Sequence, residues 1–496
     1  MICPSCESEN LKVHAQNPPR WICGDCSKTT RKPLDGYQFP VVTATSTRFV
    51  ITWAQNATAP HKSTLRTLLQ YCKHNKAQLL VIPSRYRNAT SVWSKAQQDQ
   101  DWWHKELTPY LLGHELELNP NLVVGGDVRL TPTAANPLQG MQTVSGHKSY
   151  ILGHPQIAFE TVATPQSKLA KIITSTGAIT KSNYSDTTAG KKGAFHHELG
   201  ATLVELDGSK FHIRQLIANG HGVICDLDKR YDGKTIKGKQ RAECFVSGDF
   251  HGKYLDEKVK AAWWTGKNSL FSLIKPKVQV FHDVFDGYFG SHHHNHDPFL
   301  TLRKHFNGDN DGQNELIGTL QKLDDCMLAD KNYIVKSNHD EHLDRWLKET
   351  DWRKDPANAE FYLQTALAIV QAIKSGNKFD ALEYWAKQTG LAKGAIFLKR
   401  SQVMAIKDFL MSLHGDKGIN GARGSVKSFN KIGSQSVTGH GHAPAKEKGA
   451  WRVGISCIHG LEYATGSPSS WMQTAHILYS NGKGSLISCI DGEYRK

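Results

Sequence analysis

The chain has 496 residues, 39% of them hydrophobic and 22% charged, a share of apolar material that supports real cores and excludes a wholly disordered chain. Its length suggests about three domains, and no apolar run approaches the roughly 18 residues of a spanning helix. Lys and Arg number 61 against 46 Asp and Glu, a net charge of +15. That excess favours a polyanionic partner, nucleic acid foremost, because each phosphate neutralised by a cation releases counterions.

The first residues, MICPSCESEN, lack both a basic n-region and an apolar h-region, so no signal peptide is expected, and a cytoplasmic location with no membrane partner follows. The 10 cysteines are too sparse for a disulfide scaffold. Four of them cluster: Cys3 and Cys6, then sixteen residues, then Cys23 and Cys26, the spacing of a four-thiolate zinc site. Four thiolates fill a tetrahedral shell and leave no open position, so this zinc would be structural. It would supply folding energy, of order 10–16 kcal/mol in comparable peptides, that so short a segment cannot gain from its own core. Residues 1–35 resemble a zinc ribbon, with Arg20, Trp21, Lys28, Arg31 and Lys32 around the cysteines. Ribbons contact either nucleic acid or other proteins.

Residues 36–240 predict a mixed α/β accessory region. Phe49 to Ala54 reads as a strand, His61 to His74 as a helix with Leu65, Leu68, Leu69 and Cys72 at helical spacing, and Ala77 to Pro83 as a buried parallel strand. Leu122 to Asp127 suggests a further strand, and Ala201 to Leu216 a hairpin turning at Asp207-Gly208. No phosphate loop and no internal repeat are present, and the region's role is not legible. It closes on a basic stretch, Lys229, Arg230, Lys234, Lys237, Lys239 and Arg241, opposed only by Asp232. This is either a solvated linker or a loop that tracks a nucleic-acid backbone.

Chemistry begins at residue 241. Cys244 to Val246 reads as a short strand, with Asp249 and His251 just past its end. Val278, Val280 and Phe281 read as a second strand ending at Asp283, and Tyr333 to Val335 as a third ending at Asn338, His339 and Asp340. Loops at strand ends are where α/β sheets build sites. Ala359 to Ile373 then predicts an amphipathic helix, apolar at Phe361, Leu363, Leu367, Val370 and Ile373, and two more helices are expected at Ala381 to Gln388 and Ser401 to Leu413. His414 follows, and Gly439-His440-Gly441-His442 offers two imidazoles on a tight backbone. Asp249, His251, Asp283, Asn338, His414, His440 and His442 are more donors than one ion needs, so a pair of ions sharing a bridging carboxylate is expected. Oxygen and imidazole donors suit manganese, iron or zinc. Histidines 292, 293, 294 and 296 read as a solvated loop, and Arg423, Lys427 and Lys431 as either phosphate grips or an exposed loop.

The ordered set D-x-H, G-D-x-x-D, G-N-H-D, a lone His and G-H-x-H resembles the calcineurin-like metallophosphoesterase superfamily over about residues 243–496. Charge and ribbon are similar to its SbcD-type DNA nucleases, and the whole architecture looks like the early host-DNA-degradation proteins of large tailed phages. The resemblance implies a four-layer αββα sandwich over 241–496 and two divalent cations, manganese first. Asp249, His251 and His442 would hold one ion and Asn338, His414 and His440 the other, with Asp283 between them and His339 as the catalytic group beside the scissile phosphate. Two departures are His282 and Ser337, where the family carries glycines; Gly287 replaces an arginine frequent in protein phosphatases, which argues against a phosphoprotein substrate. The expected activity is a metal-dependent deoxyribonuclease acting on DNA, in the host cytoplasm if the chain is phage-encoded. The alternatives are a phosphomonoesterase or small-molecule phosphodiesterase, and a nucleic-acid-binding protein with a vestigial metal site. A homo-oligomer is allowed but not specified.

Overall fold

The protein, seen as a computed structural model, is described at residues 3, 6, 8, 10–16, 19–30, 39–86, 102–165, 168–291, 294, 296–461 and 464–495. Arg31, Lys32, His292, His293 and the expected ribbon boundary at residue 35 lie outside the described residues. At the N-terminus, strands Leu11–Gln16, Pro19–Cys23 and Thr29–Thr30 form an antiparallel sheet. Two turns close beside it, the Cys3 N–H donating to Ser8 O at 2.8 Å and the Cys23 N–H to Lys28 O at 3.0 Å.

The rest of the chain is mixed α/β, built on three larger sheets. A six-stranded sheet runs in the order Ala395–Leu398, Lys331–Val335, Val278–Phe281, Cys244–Val246, Thr474–Leu478, Gly484–Ser488. Its first four strands are mutually parallel and its last two antiparallel. One face carries helices, whose core joins Trp263, Phe281, Leu316, Leu320, Trp346 and Trp385. The other face, through Val246, Val280, Val335 and Leu486, packs on Val124, Ile151, Phe159, Val437 and Trp451 of a ten-stranded sheet and on Phe49, Ile51 and Val204 of a four-stranded one. Alternation within strands divides these faces: Val124 and Ile151 point to this shared core, while Val123, Tyr150 and Ile173 serve a smaller one behind the ten-stranded sheet. Each such aliphatic side chain contributes about 1.5–3 kcal/mol by leaving water.

The ten-stranded sheet takes five strands from residues 115–175 and five from residues 405–452. The halves meet where Ala445 and Lys446 pair with Glu160 and Phe159, so the segments on either side of residue 240 share one sheet. At this seam the Lys446 side chain, 1% exposed, donates to both Glu198 oxygens at 2.7 and 3.0 Å and to Ile157 O at 2.8 Å.

The middle elements follow the sequence reading: strands Arg48–Gln55 and Gln78–Ser84 are parallel neighbours, helix Lys62–Asn75 joins them, and Gly200–Asp207 and Lys210–Ile217 form the hairpin. Two expectations fail. The helix expected at Ser401 to Leu413 is instead a tight hairpin, Ala405–Ile406 with Phe409–Leu410, at the edge of the ten-stranded sheet. Phe409 and Met411 are buried on one side of it with period two, and Lys407 takes a φ of 50°, which opens the turn. Helix Ala359–Lys374 forms, but it buries Phe361, Thr365 and Ala368 and leaves Leu363, Leu367, Val370 and Ile373 facing outward. Among the described residues no helix is long and apolar enough to cross a membrane.

Lys446→Met is expected to destabilise the protein by about 2–4 kcal/mol, because it strands Glu198 and a carbonyl at the seam; the midpoint of urea unfolding measures this. An unchanged midpoint would show that the seam does not depend on the pair.

Candidate metal centre

The centre lies where strand ends of the two largest sheets meet. Strands Cys244–Val246, Val278–Phe281 and Lys331–Val335 deliver Asp249 with His251, Asp283, and Asn338 with His339 just past their C-terminal ends. From the ten-stranded sheet, Phe409–Leu410 leads to His414 and Gln435–Thr438 to His440 and His442. Backbone hydrogen bonds lace these loops together. The Phe250 N–H donates to His282 O at 2.8 Å, His251 N–H to Asp283 O at 2.7 Å, and Gly439 N–H to His414 O at 2.7 Å.

Four of the expected ligands carry a left-handed backbone: His251 (φ 45°), Asp283 (φ 47°), His440 (φ 66°) and His442 (φ 54°). The last two centre consecutive γ-turns, closed by Gly441 N–H to Gly439 O at 2.8 Å and Ala443 N–H to Gly441 O at 2.6 Å. Such turns are strained at residues with a Cβ, and strain of this kind, about 1–3 kcal/mol per residue, persists where the surroundings impose it. The glycines give the loop room, since a Cβ on Gly439 would collide with Asp249 Oδ1 and one on Gly441 with the Arg452 guanidinium.

Two donor groups result. Asp249, His251, Asp283 and His442 bring one ligand atom each within 4.8 Å of one another, and Asp283, His414 and His440 do the same beside them. Asp283 belongs to both. His251 Nε2 and His442 Nε2 are 3.1 Å apart, His414 Nε2 is 3.2 Å from Asp283 Oδ1, and Asn338 Oδ1 lies 3.1 Å from His414 Nε2. All seven residues expected as ligands are therefore gathered. The oxygens of Asp249 and Asp283 are buried and lack hydrogen-bond partners of ordinary geometry. Buried carboxylates without donors are costly, and a cation among them removes the cost. The residues thus fit divalent ions on this chain's own chemistry, and the shared carboxylate lets two sit side by side.

Electrostatics agree. Burial, reinforced by Asp283, pushes Asp249 up to about 7. Burial works against ionising Asp283 as well, but His414 and His339 hold it well below the usual carboxylate range. For His251 and His414 burial opposes protonation, yet Asp286 beside the first and Asp283 beside the second raise both to about 9. The carboxylates thus draw positive charge strongly; a divalent ion supplies it while leaving the imidazoles neutral. Burial lowers His339 to about 4, so its ring is a neutral hydrogen-bonding group.

The two departures from the family pattern are accommodated. Ser337 donates its hydroxyl to Asp340 Oδ2 at 2.8 Å, and Asp340 Oδ1 accepts the Phe285 N–H at 3.0 Å, which ties the second and third loops together. His282 packs at 5.6 Å from the His414 ring and is lowered by burial to about 3, a neutral filler. Sequence reasoning gave Asp286 no role. It accepts a 2.7 Å hydrogen bond from His251 Nδ1 and the Lys253 N–H at 3.0 Å, which turns the other ring nitrogen of His251 inward. Its position as the second Asp of D-x-x-D was the available signal.

Other expected residues lie elsewhere. Lys229, Arg230 and Lys237 belong to a small three-stranded sheet, and the turn carrying Lys234 packs on helix Lys62–Asn75, the Gly233 N–H donating to Gln70 at 2.9 Å. Lys239 follows, and Arg241 bonds Lys275 O at 2.9 Å and Asp330 at 2.7 Å. Those partners precede strands Val278–Phe281 and Lys331–Val335, so Arg241 sits at the sheet end opposite the ligand loops. Arg423 borders the cavity beside the centre; Lys427 lies in the adjoining short helix, exposed. His294 packs on Tyr288 at 5.2 Å. At the N-terminus, Cys3, Cys6, Cys23 and Cys26 come together, with sulfurs 3.6 Å (Cys3 to Cys26) and 3.4 Å (Cys6 to Cys23) apart. A tetrahedral thiolate shell has edges of about 3.8 Å, so this set also fits an ion.

Asp283→Ala removes the oxygens common to both groups and is expected to reduce bound metal at the centre to less than half, measured by elemental analysis of the purified chain. Asp249→Ala should lose about one ion. Full retention by Asp283→Ala would refute a shared centre.

No protein-family model matches the chain. Protein A1 of Escherichia phage T5 is 33% identical over 466 residues, spanning 90% of this chain and 82% of that protein. At that identity and coverage, the chain belongs to the family of phage T5 Protein A1.

Proposed function

We propose that this member of the family is a metal-dependent deoxyribonuclease of the calcineurin-like metallophosphoesterase superfamily, on its SbcD-type branch, and that it degrades host DNA in the infected cytoplasm. The observation that carries the reading is the shared carboxylate: loops in the superfamily's motif order bring six donors into two groups that meet at Asp283, with Asn338 beside the second at 3.1 Å from His414. In this reading Asp249, His251 and His442 would hold one ion, Asn338, His414 and His440 the other, and Asp283 would serve both. The helix-covered six-stranded sheet, facing a second sheet across a shared core, supports the αββα assignment.

When bound, a pair of divalent ions, manganese in our assignment, lowers the pKa of a water toward about 7 and offsets charge on the phosphoryl oxygens. The chain's residues do the rest. Asp286 fixes the tautomer of His251. His339, with its ring at 4.8 Å from that of His251 and on the cavity wall, donates a hydrogen bond to a phosphoryl oxygen or the departing oxygen. The net charge of +15 draws DNA to the surface, and the four thiolates hold a structural zinc.

With manganese, the purified chain should degrade linear DNA and leave a chromogenic phosphate monoester largely intact. His339→Ala should retain its metal and lose about 100- to 1000-fold in turnover on DNA. Monoester turnover with intact DNA would replace this reading by a small-molecule phosphatase. DNA retention in a gel shift without any cleavage would replace it by a binding protein.

A further inference from the structure

Beside the donor groups lies a cavity of about 350 Å³, bordered by His339, Arg423, Phe429, His440, Arg452 and Trp471 among others. That volume is at the lower end of those that bind small molecules and suits a single nucleotide. Arg452 ends strand Ala450–Arg452, in register with Thr438 just before the ligand loop. Its Nε donates to Ala443 O at 2.6 Å, and its guanidinium lies over Gly441, between the two ligand histidines. No carboxylate among the described residues forms a close ion pair with it, and Asp249 acts on it only at longer range, in contrast to Arg214, which is matched by both Glu205 and Asp226. A half-buried arginine with an acid only at longer range keeps guanidinium donors for an anion. Trp471 stands on the same cavity, its ring perpendicular to that of His442 with centroids 4.4 Å apart. Below it, the ring packs on Ile455, Cys457 and Leu461, which fixes its position.

We propose that Arg452 and Trp471 form a nucleotide subsite of the metal centre: Arg452 holds a non-bridging phosphate oxygen and Trp471 takes one unpaired base on its ring. The proposal rests on the reading of the centre as a DNA phosphodiesterase and deepens it, because it specifies the substrate as a strand whose base next to the scissile phosphate is out of the duplex. A base paired in a helix is covered by its neighbours and cannot reach an aromatic face, whereas an unpaired one stacks without sequence preference.

The test compares a cleavage-resistant phosphorothioate oligo(dT) with an abasic phosphorothioate strand of the same length, each fluorescein-labelled, bound to the full chain as purified and followed by anisotropy. The wild type should prefer oligo(dT) by about tenfold. Trp471→Ala should bind the two strands alike at the wild type's abasic affinity, and Trp471→Phe should restore the preference. Arg452→Gln should weaken both strands by about tenfold. Preference retained in Trp471→Ala, equal loss on both strands in that variant, or no preference in the wild type would overturn the stacking role; unchanged binding in Arg452→Gln would overturn the phosphate role. Hydrolysis of bis(4-nitrophenyl) phosphate by the wild type with manganese reports on the parent reading separately. Its absence alongside base-dependent binding would sink the nuclease assignment and leave the subsite standing.

Discussion

Two buried aspartates whose oxygens lack well-formed hydrogen bonds set the terms for this protein. Asp249 and Asp283 are fully enclosed, and the donor groups gathered on them are completed by imidazoles. In a low-dielectric interior such a pair repels itself and demands positive charge within a few ångströms. Imidazole nitrogens provide it only by taking up protons; ions provide it while leaving the nitrogens free to bind. The neighbouring residues are arranged for the second solution, with Asp286 holding the outer nitrogen of His251 and Asn338 adding an uncharged oxygen.

Holding those side chains inward distorts the backbone, and the distortion explains much of the surrounding architecture. Four ligand positions take left-handed conformations that L residues avoid, and two sit in successive γ-turns. Such loops do not hold themselves. They are held by the strands that feed them and by hydrogen bonds running from the 249–252 loop to the 282–284 loop and from His414 to Gly439. The apolar core between the two largest sheets keeps both sets of strand ends in place. The middle of the chain, whose role the sequence left blank, contributes here. It doubles the width of the sheet that carries His414, His440 and His442 and is locked to it by the Lys446–Glu198 pair. The strands of residues 115–175 thus share one sheet with the strands that feed those histidines.

The cations of the chain fall into two settings. Part of the basic stretch ending at Arg241 is engaged away from the centre: Arg230 pairs with Asp232 within the small three-stranded sheet, and Arg241 with Asp330 at the far end of the parallel strands. The cations that border the cavity are Arg423 and Arg452, and neither stands in a run of like charge. Charge summed over a surface governs encounter, whereas a single guanidinium fixed by packing governs where a phosphate comes to rest.

By itself the sequence determined which side chains could bind metal. Asp, Asn and His at the ends of short apolar strands, and cysteines in paired knuckles, are local patterns, and local chemistry is legible in order along the chain. It also carried the strand–helix–strand unit of residues 48–84, where one apolar period decides one element. It misjudged Ser401 to Leu413, because a short apolar run reads equally as helix or strand until a sheet edge claims it, and the outward face of helix Ala359–Lys374, because amphipathicity does not say which side finds a neighbour. Only the tertiary structure decided that Asp286 steadies His251, that one sheet crosses residue 240, and that Arg452 and Trp471 wall the same cavity. Each of these depends on segments tens to hundreds of residues apart being brought within a few ångströms, a proximity that packing creates and no single stretch of sequence encodes.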